Sequence, residues 1–213
     1  MTVSATSRCE VYVALGDSFT AGAAGIEERS FAEVLAGMLR RANPGLSFHN
    51  LAEQGALTAQ IVEQQVGRAV DLRPDVVTLM CGGNDALLSI RPDVHAHVEA
   101  LEAAVSTIRT SLPDAAFAMA TTPDPSKFLD LRPRTAKRIS TAIAEINEAT
   151  QAAAARHGVP CLDFATHPLT NARELYADDG YHPTTLAAQL AAEAFAGVLG
   201  VRYGIQFDSE EVL

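Results

Sequence analysis

Basic side chains are scarce in this sequence, cysteines are few, and long apolar runs are missing; each shortage removes a class of function. Lys and Arg number 16 against 26 Asp and Glu, a formal charge of −10 at pH 7. Binding to a nucleic-acid backbone draws on clustered Lys and Arg, so nucleic acid is not expected as a partner. The three cysteines, Cys9, Cys81 and Cys161, lie far apart within or beside apolar runs and show no CxxC spacing. This argues against a zinc site and against a disulfide framework, and reads all three as small buried hydrophobes. No apolar stretch approaches the ~20 residues that a membrane-spanning helix needs. The first residues, Met1 to Arg8, lack the charged and apolar regions of a secretory leader, so the expected location is the cytoplasm. Neither an internal repeat nor a low-complexity segment occurs.

Histidine does not suggest a metal either. His95 and His97 stand two apart on an expected helix, point in different directions and read as surface residues. His49, His157 and His167 have no ligand-like spacing and read as structural. No metal or organic cofactor is expected.

What is present suits one globular domain over residues 1–213 with an acidic C-terminal tail from about residue 205. Hydrophobic residues make up 48% and charged residues 20% of the 213, enough to bury a substantial core. Short runs read as strands at Val11–Leu15, Leu46–Leu51, Asp75–Cys81, Ala115–Thr121 and Val159–Phe164, the first and third as buried strands and the second as an alternating one. Between them, helical spacing predicts helices over Glu27–Ala42, Leu57–Val70, Val94–Leu112, Arg134–His157 and Thr184–Leu199, with Thr184 placed to cap the last. Strands alternating with helices predict a three-layer α/β/α sandwich on a parallel sheet.

Four loops of this pattern carry chemistry. The first strand stops at Gly16-Asp17-Ser18, which puts a serine at the carboxyl edge of the sheet, where ligands bind in open parallel sheets. Taken alone, the same triplet also suits a turn or a helix cap. Gly55 follows the second strand, and its backbone N–H can face a bound oxyanion, although a glycine there also simply eases a turn. Gly82-Gly83-Asn84-Asp85 follows the third strand, where Asn84 presents an amide donor of the kind acyl transfer needs. Asp179-Gly180-Tyr181-His182-Pro183 supplies a carboxylate three residues before a histidine. If the loop folds back at Gly180, Asp179 reaches one ring nitrogen and leaves the other for the Ser18 proton. Asp178 competes for that orienting role. Asp17 and Asp85 read as loop-bracing residues.

The order Ser, Asp, His matches the α/β-hydrolases, but their G-x-S-x-G elbow is absent around Ser18. The four blocks instead resemble the SGNH hydrolases, the GDSL esterase/lipase family: Gly16-Asp17-Ser18, the Gly55 loop opened by Asn50, Gly82-Gly83-Asn84-Asp85 and Asp179-Gly180-Tyr181-His182-Pro183. They occur in order across nearly the whole chain. The family pattern often has Leu after Gly-Asp-Ser, where this chain has Phe19, a change that concerns local packing.

The resemblance implies a flavodoxin-like fold with a five-stranded parallel sheet. It implies Ser18 as nucleophile, His182 as base, Asp179 as its orienter, and an oxyanion hole from the Ser18 N–H, the Gly55 N–H and the Asn84 side chain. In this family a backbone carbonyl can share the task of holding the histidine, so the share of Asp179 is open. The expected function is a serine esterase acting through an acyl-enzyme on a small acyl ester or lysophospholipid-type substrate. An acyltransferase using the same acyl-enzyme, and a non-catalytic flavodoxin-like binding module, stand as alternatives. Leu87, Leu88 and Ile90 after Asn84, and Phe128, Leu129 and Leu131 in the loop after the fourth strand, suit an acyl pocket or a mobile flap, and equally ordinary packing between loop and sheet.

Overall fold

A computed structural model describes residues 9–22 and 29–207. Five parallel strands, β1 (Val11–Gly16), β2 (Ser47–Asn50), β3 (Val76–Met80), β4 (Ala116–Ala120) and β5 (Cys161–Leu162), form one sheet in the order β2-β1-β3-β4-β5. Because successive side chains alternate across a strand, each strand feeds two cores. Tyr12 and Ala14 of β1, with Ala116, Ala118 and Ala120 of β4, face one layer; Val13 and Leu15, with Phe117 and Met119, face the other. Helices cover both faces, so the strands carry near-continuous apolar runs.

On the alanine-rich face lie α2 (Phe31–Ala42), which follows the one-turn helix α1 (Ser18–Ala21), and the C-terminal helix α7 (Thr185–Tyr203). Phe31 of α2 stacks on Phe195 of α7 at 4.9 Å. The opposite face is packed by three helical segments. The first, α3, runs Thr58–Ile61, passes through a π-helical turn Val62–Val66 and resumes as Gly67–Leu72. The others are α5 (Val94–Ser111) and α6 (Pro133–Arg156); the short α4 (Gly83–Leu87) sits at the end of β3. Among the described residues no helix is long and apolar enough to cross a membrane.

The expected elements are present with shifted ends. Only residues 29–42 of the expected helix over Glu27–Ala42 are described, and there the helix starts at Phe31. Ser30 and Glu33 form a reciprocal capping box that fixes the start: Ser30 Oγ accepts from Glu33 N–H and Glu33 returns a bond to Ser30 N–H. The fifth strand is two residues long instead of six, because Asp163 turns the chain. Its Oδ1 accepts from Thr121 Oγ1 and from Thr166 N–H. The extreme tail, residues 208–213, lies outside the described residues.

With β1 flanked by β2 on one side and β3 on the other, chain direction across the sheet reverses between β1 and β3. Ligands of open α/β sheets bind at such switch points, outside the carboxyl ends of the strands. The loops after β1 and β3 carry Ser18 and Asn84.

Candidate active site

The Ser18 turn is set by the last residue of β1. Gly16 adopts φ +151°, and a Cβ there would stand 2.3 Å from the Met80 carbonyl oxygen and 2.5 Å from Thr20 Oγ1, so only glycine lets β1 end this way against β3. Asp17 then caps α1, its Oδ1 accepting from Phe19 N–H at 3.1 Å, and Ser18 opens the helix. Asp17 is fully enclosed, and burial pushes its carboxyl up to about 7 against the lowering effect of the Phe19 N–H. Asn50, at the end of β2, donates to the Thr20 carbonyl at 2.8 Å and accepts from Ala52 N–H, joining the Ser18 turn to the loop that carries Gly55.

On the far side of the chain, His182 is delivered by a tightly folded loop. Tyr176 and Pro183 form an antiparallel bridge, Ala177 N–H donates to the His182 carbonyl at 2.8 Å, and Gly180 N–H closes a turn onto Ala177. Asp179 collects three donors there. Its Oδ1 accepts from the N–H groups of Tyr181 (2.8 Å) and His182 (3.0 Å), while Oδ2 stands 2.6 Å from His182 Nδ1. Partial burial raises the Asp179 carboxyl, but the imidazole and the two N–H donors outweigh it and hold it below the usual carboxylate range. The other ring nitrogen, Nε2, stands 3.2 Å from Ser18 Oγ. Ser18, His182 and Asp179 therefore form one continuous chain across 164 residues of sequence. Asp178, the rival, accepts from Arg173 with its backbone carbonyl, and its carboxylate makes no hydrogen bond to His182.

The donor side is built from the remaining two loops. Asn84 is buried, and its Nδ2 donates to the Ala56 carbonyl at 3.1 Å, which fixes the plane of the amide and ties it to the neighbour of Gly55. Gly55, at φ +73°, is exposed, and its N–H meets no protein acceptor among the described residues. Behind these loops Asp85 Oδ2 accepts from both the N–H and the hydroxyl of Thr58 at 3.2 and 3.1 Å, pinning the start of α3 to α4. Thr58 gives its one proton to Asp85, so the contact to His97 Nδ1 at 2.9 Å is a donation from the imidazole.

His97 is a correction to the sequence reading. It is 1% exposed, not a surface residue. It occupies the inward stripe of α5 with Leu101, Ala104, Val105 and Ile108, where Nδ1 meets Thr58 and lies near Asp85 while Nε2 is buried with no partner among the described residues, and burial holds its pKa low despite the nearby Asp85. His95 is exposed beside Glu99, as expected. Cys161 is only half-buried, whereas Cys9 and Cys81 are buried.

Sequence reasoning missed Gln65. It lies in the π-helical turn of α3, is buried, and its amide pairs with both backbone groups of Gly16: Oε1 accepts from Gly16 N–H at 2.9 Å and Nε2 donates to Gly16 O at 3.0 Å. One signal was available, a glutamine four residues after Ile61 and four before Ala69 on a stripe otherwise apolar.

The acyl-pocket candidates do not gather at one place. Leu88 and Ile90 are exposed, Leu87 and Leu131 pack on a small cluster under α4 and α6, and Phe128 rests on the Tyr176 ring at 4.6 Å. A mostly apolar cavity of about 410 Å³ lies elsewhere, between the first turns of α7 and the segment after β5. Phe19 and Pro183, the residues after Ser18 and His182, form part of its wall with Phe31, Met80, Leu162 and Ala191.

Residues 14–190 match the model of the GDSL-like Lipase/Acylhydrolase family, and the chain belongs to that family. By family it is an acylhydrolase. Solved structures that share the fold include a GDSL-like protein of Parabacteroides merdae, 16% identical, covering 93% of this chain and 99% of its own, with a TM-score of 0.78. A lipase/acylhydrolase from Enterococcus faecalis is 22% identical over 95% of this chain and 100% of its own, with a TM-score of 0.68. The psychrotrophic esterase EstA from Pseudoalteromonas sp., solved inhibited by monoethylphosphonate, is 17% identical over 92% and 100%, with a TM-score of 0.67. No curated protein sequence matches significantly.

Proposed function

We propose that the protein is a serine carboxylic ester hydrolase working through an acyl-enzyme on Ser18. The observation that carries this is the unbroken line from Asp179 through His182 to Ser18, with Nε2 of the imidazole 3.2 Å from the serine oxygen. As Ser18 Oγ bonds to the ester carbonyl carbon, its proton passes to His182 Nε2 and the carbonyl π pair moves onto oxygen. Asp179 holds Nδ1–H and stabilises the imidazolium that forms. The oxyanion is met by the Ser18 N–H, the Gly55 N–H and the Asn84 amide hydrogen that Ala56 does not use. Collapse of the intermediate breaks the bond to the alcohol oxygen, which leaves with the proton from His182. Water repeats the sequence, giving its proton to His182, and the acid departs as Ser18 Oγ takes that proton back.

The substrate is a small-molecule ester whose acyl part is apolar. The cavity bordered by Phe19 and Pro183 supports this reading, since pockets of this size and lining hold apolar groups. The test is labelling by a fluorophosphonate together with hydrolysis of p-nitrophenyl esters by wild type and Ser18→Ala. Wild type gains one phosphonyl group on Ser18, and Ser18→Ala stays folded while turnover drops by on the order of 10⁴ or more. Wild-type rates in Ser18→Ala, or label on another residue, overturn the assignment.

A further inference from the structure

One polar atom beside the nucleophile is left without a role by this mechanism. The Tyr181 hydroxyl has no solvent contact and no hydrogen-bond partner among the described residues. Leaving a buried hydroxyl unpaired is unfavourable, so its place needs a reason. Its ring packs edge-on against Phe19, the residue after Ser18, at 5.2 Å between centroids, and against His182 at 4.8 Å. The backbone N–H of Tyr181 is held by the same Asp179 oxygen that receives the His182 N–H, so ring and imidazole are placed by one carboxylate. The hydroxyl lies close enough to Ser18 and Asp17 to interact with both, yet makes a geometrically formed hydrogen bond to neither.

Space for it comes from Gly83. A Cβ at that residue would stand 3.0 Å from the Tyr181 oxygen and 3.3 Å from Thr122 Cγ2, tighter than ordinary contact, so the second glycine of Gly82-Gly83-Asn84 admits the phenol beside the nucleophile. Of the two groups it lies close to, Asp17 already accepts from Phe19 N–H with Oδ1. Ser18 Oγ donates its only proton toward His182 Nε2 and keeps lone pairs open to a donor.

We propose, on the reading of Ser18 as nucleophile, that Tyr181 is a further catalytic residue whose O–H donates to Ser18 Oγ as charge builds on that oxygen. This happens twice in the cycle. In acylation the serine proton moves to His182 while the O–C bond forms, and the tyrosine hydrogen bond shortens onto an oxygen that is transiently more negative. In deacylation the same oxygen leaves the acyl carbon, and the phenol stabilises it until His182 returns the proton. Tyr181 loses no proton in either step. Burial and the neighbouring Asp17 push its phenol well above the ordinary range, so it remains a donor at any working pH. Catalytic hydrogen bonds are often long in free enzymes and tighten with the transition state, which fits a hydroxyl that lies close to Ser18 yet is unpaired in the free protein.

Tyr181→Phe removes only the oxygen and tests the role directly. With p-nitrophenyl acetate, kcat and kcat/KM fall together by at least about tenfold, short of the 10²–10³ lost with an oxyanion donor. Labelling of Ser18 by a fluorophosphonate slows in parallel, and Tm stays the same or rises because an unpaired buried hydroxyl has gone. An unchanged kcat and labelling rate overturns the proposal, as does a rate loss that comes with a lower Tm, the mark of a packing role. If wild type itself resists the fluorophosphonate, it is the nucleophile assignment that fails.

Discussion

The Gln65 side chain substitutes for a missing strand along the edge of Gly16. Strand β2 pairs with β1 only as far as Ala14, and two residues later the Gln65 amide takes both the N–H and the C=O of Gly16. The residue that ends β1, two before Ser18, has β3 on one edge and is held in sheet-like hydrogen bonding by a side chain on the other. The π-helical turn Val62–Val66 places this side chain inward, in keeping with the frequent use of π-bulges at functional sites.

Gln65→Leu keeps the volume and removes both bonds. The Gly16 carbonyl still accepts from Glu53 N–H at 3.2 Å, but its N–H is left buried and unpaired. Stability falls by about 1–3 kcal/mol in urea denaturation. Ester turnover falls by about tenfold or more, because a small displacement of Ser18 from His182 spoils the attack geometry. Full activity in this variant means that β1 holds the serine without help.

Asp17 makes stability depend on pH in the direction opposite to most carboxylates. Its pKa is raised by burial to about 7 in the folded protein, so between the ordinary carboxylate range and pH 7 the folded state holds a proton that the unfolded state has lost. Its contribution is fully present at low pH and is lost as pH rises toward 7. Asp17→Asn keeps an acceptor for Phe19 N–H and abolishes the titration. The expected result is a stability difference between variant and wild type that moves in favour of the variant by on the order of 2 kcal/mol from pH 5 to pH 8. Urea titrations at both pH values measure it, and a difference independent of pH refutes the shift.

Much of the site was legible because its residues are local signals at strand ends. Gly16-Asp17-Ser18 and Asp179-Gly180-Tyr181-His182 announce a turn and a paired acid and histidine whatever surrounds them, and β1 and α7 bring them together. Spacing ranked Asp179 ahead of Asp178 without excluding the latter. The choice depends on the turn at Gly180, φ +72°, folding the carboxylate back onto Nδ1. His97 was misread for a related reason. Helical spacing gives its direction, but only the packed partners, Thr58 and Asp85, show that Nδ1 of an imidazole can be met there. The π-helical turn was hidden because a single inserted residue leaves the apolar spacing of α3 nearly intact, and with it the contact from Gln65 to Gly16 was out of reach. The acyl-pocket candidates were similarly ambiguous: apolar loop residues say nothing about whether they converge, and a cavity lies where the small side chains of α7 face Leu162 and Phe164.

That cavity leads to a test of acyl specificity that is independent of the chemistry. If the acyl chain lies against α7, narrowing the cavity there penalises long chains more than short ones. Ala191→Phe adds a ring to a helix position that lines the cavity, well along the chain from His182 and outside the hydrogen-bonded loop from Tyr176 to Thr184. The ratio of kcat/KM for p-nitrophenyl octanoate to that for the acetate falls about tenfold, the equivalent of roughly one to two methylenes of lost apolar contact. The same ratio in variant and wild type places the acyl chain outside this cavity, and the loops after β3 and β4 then become the surface to probe.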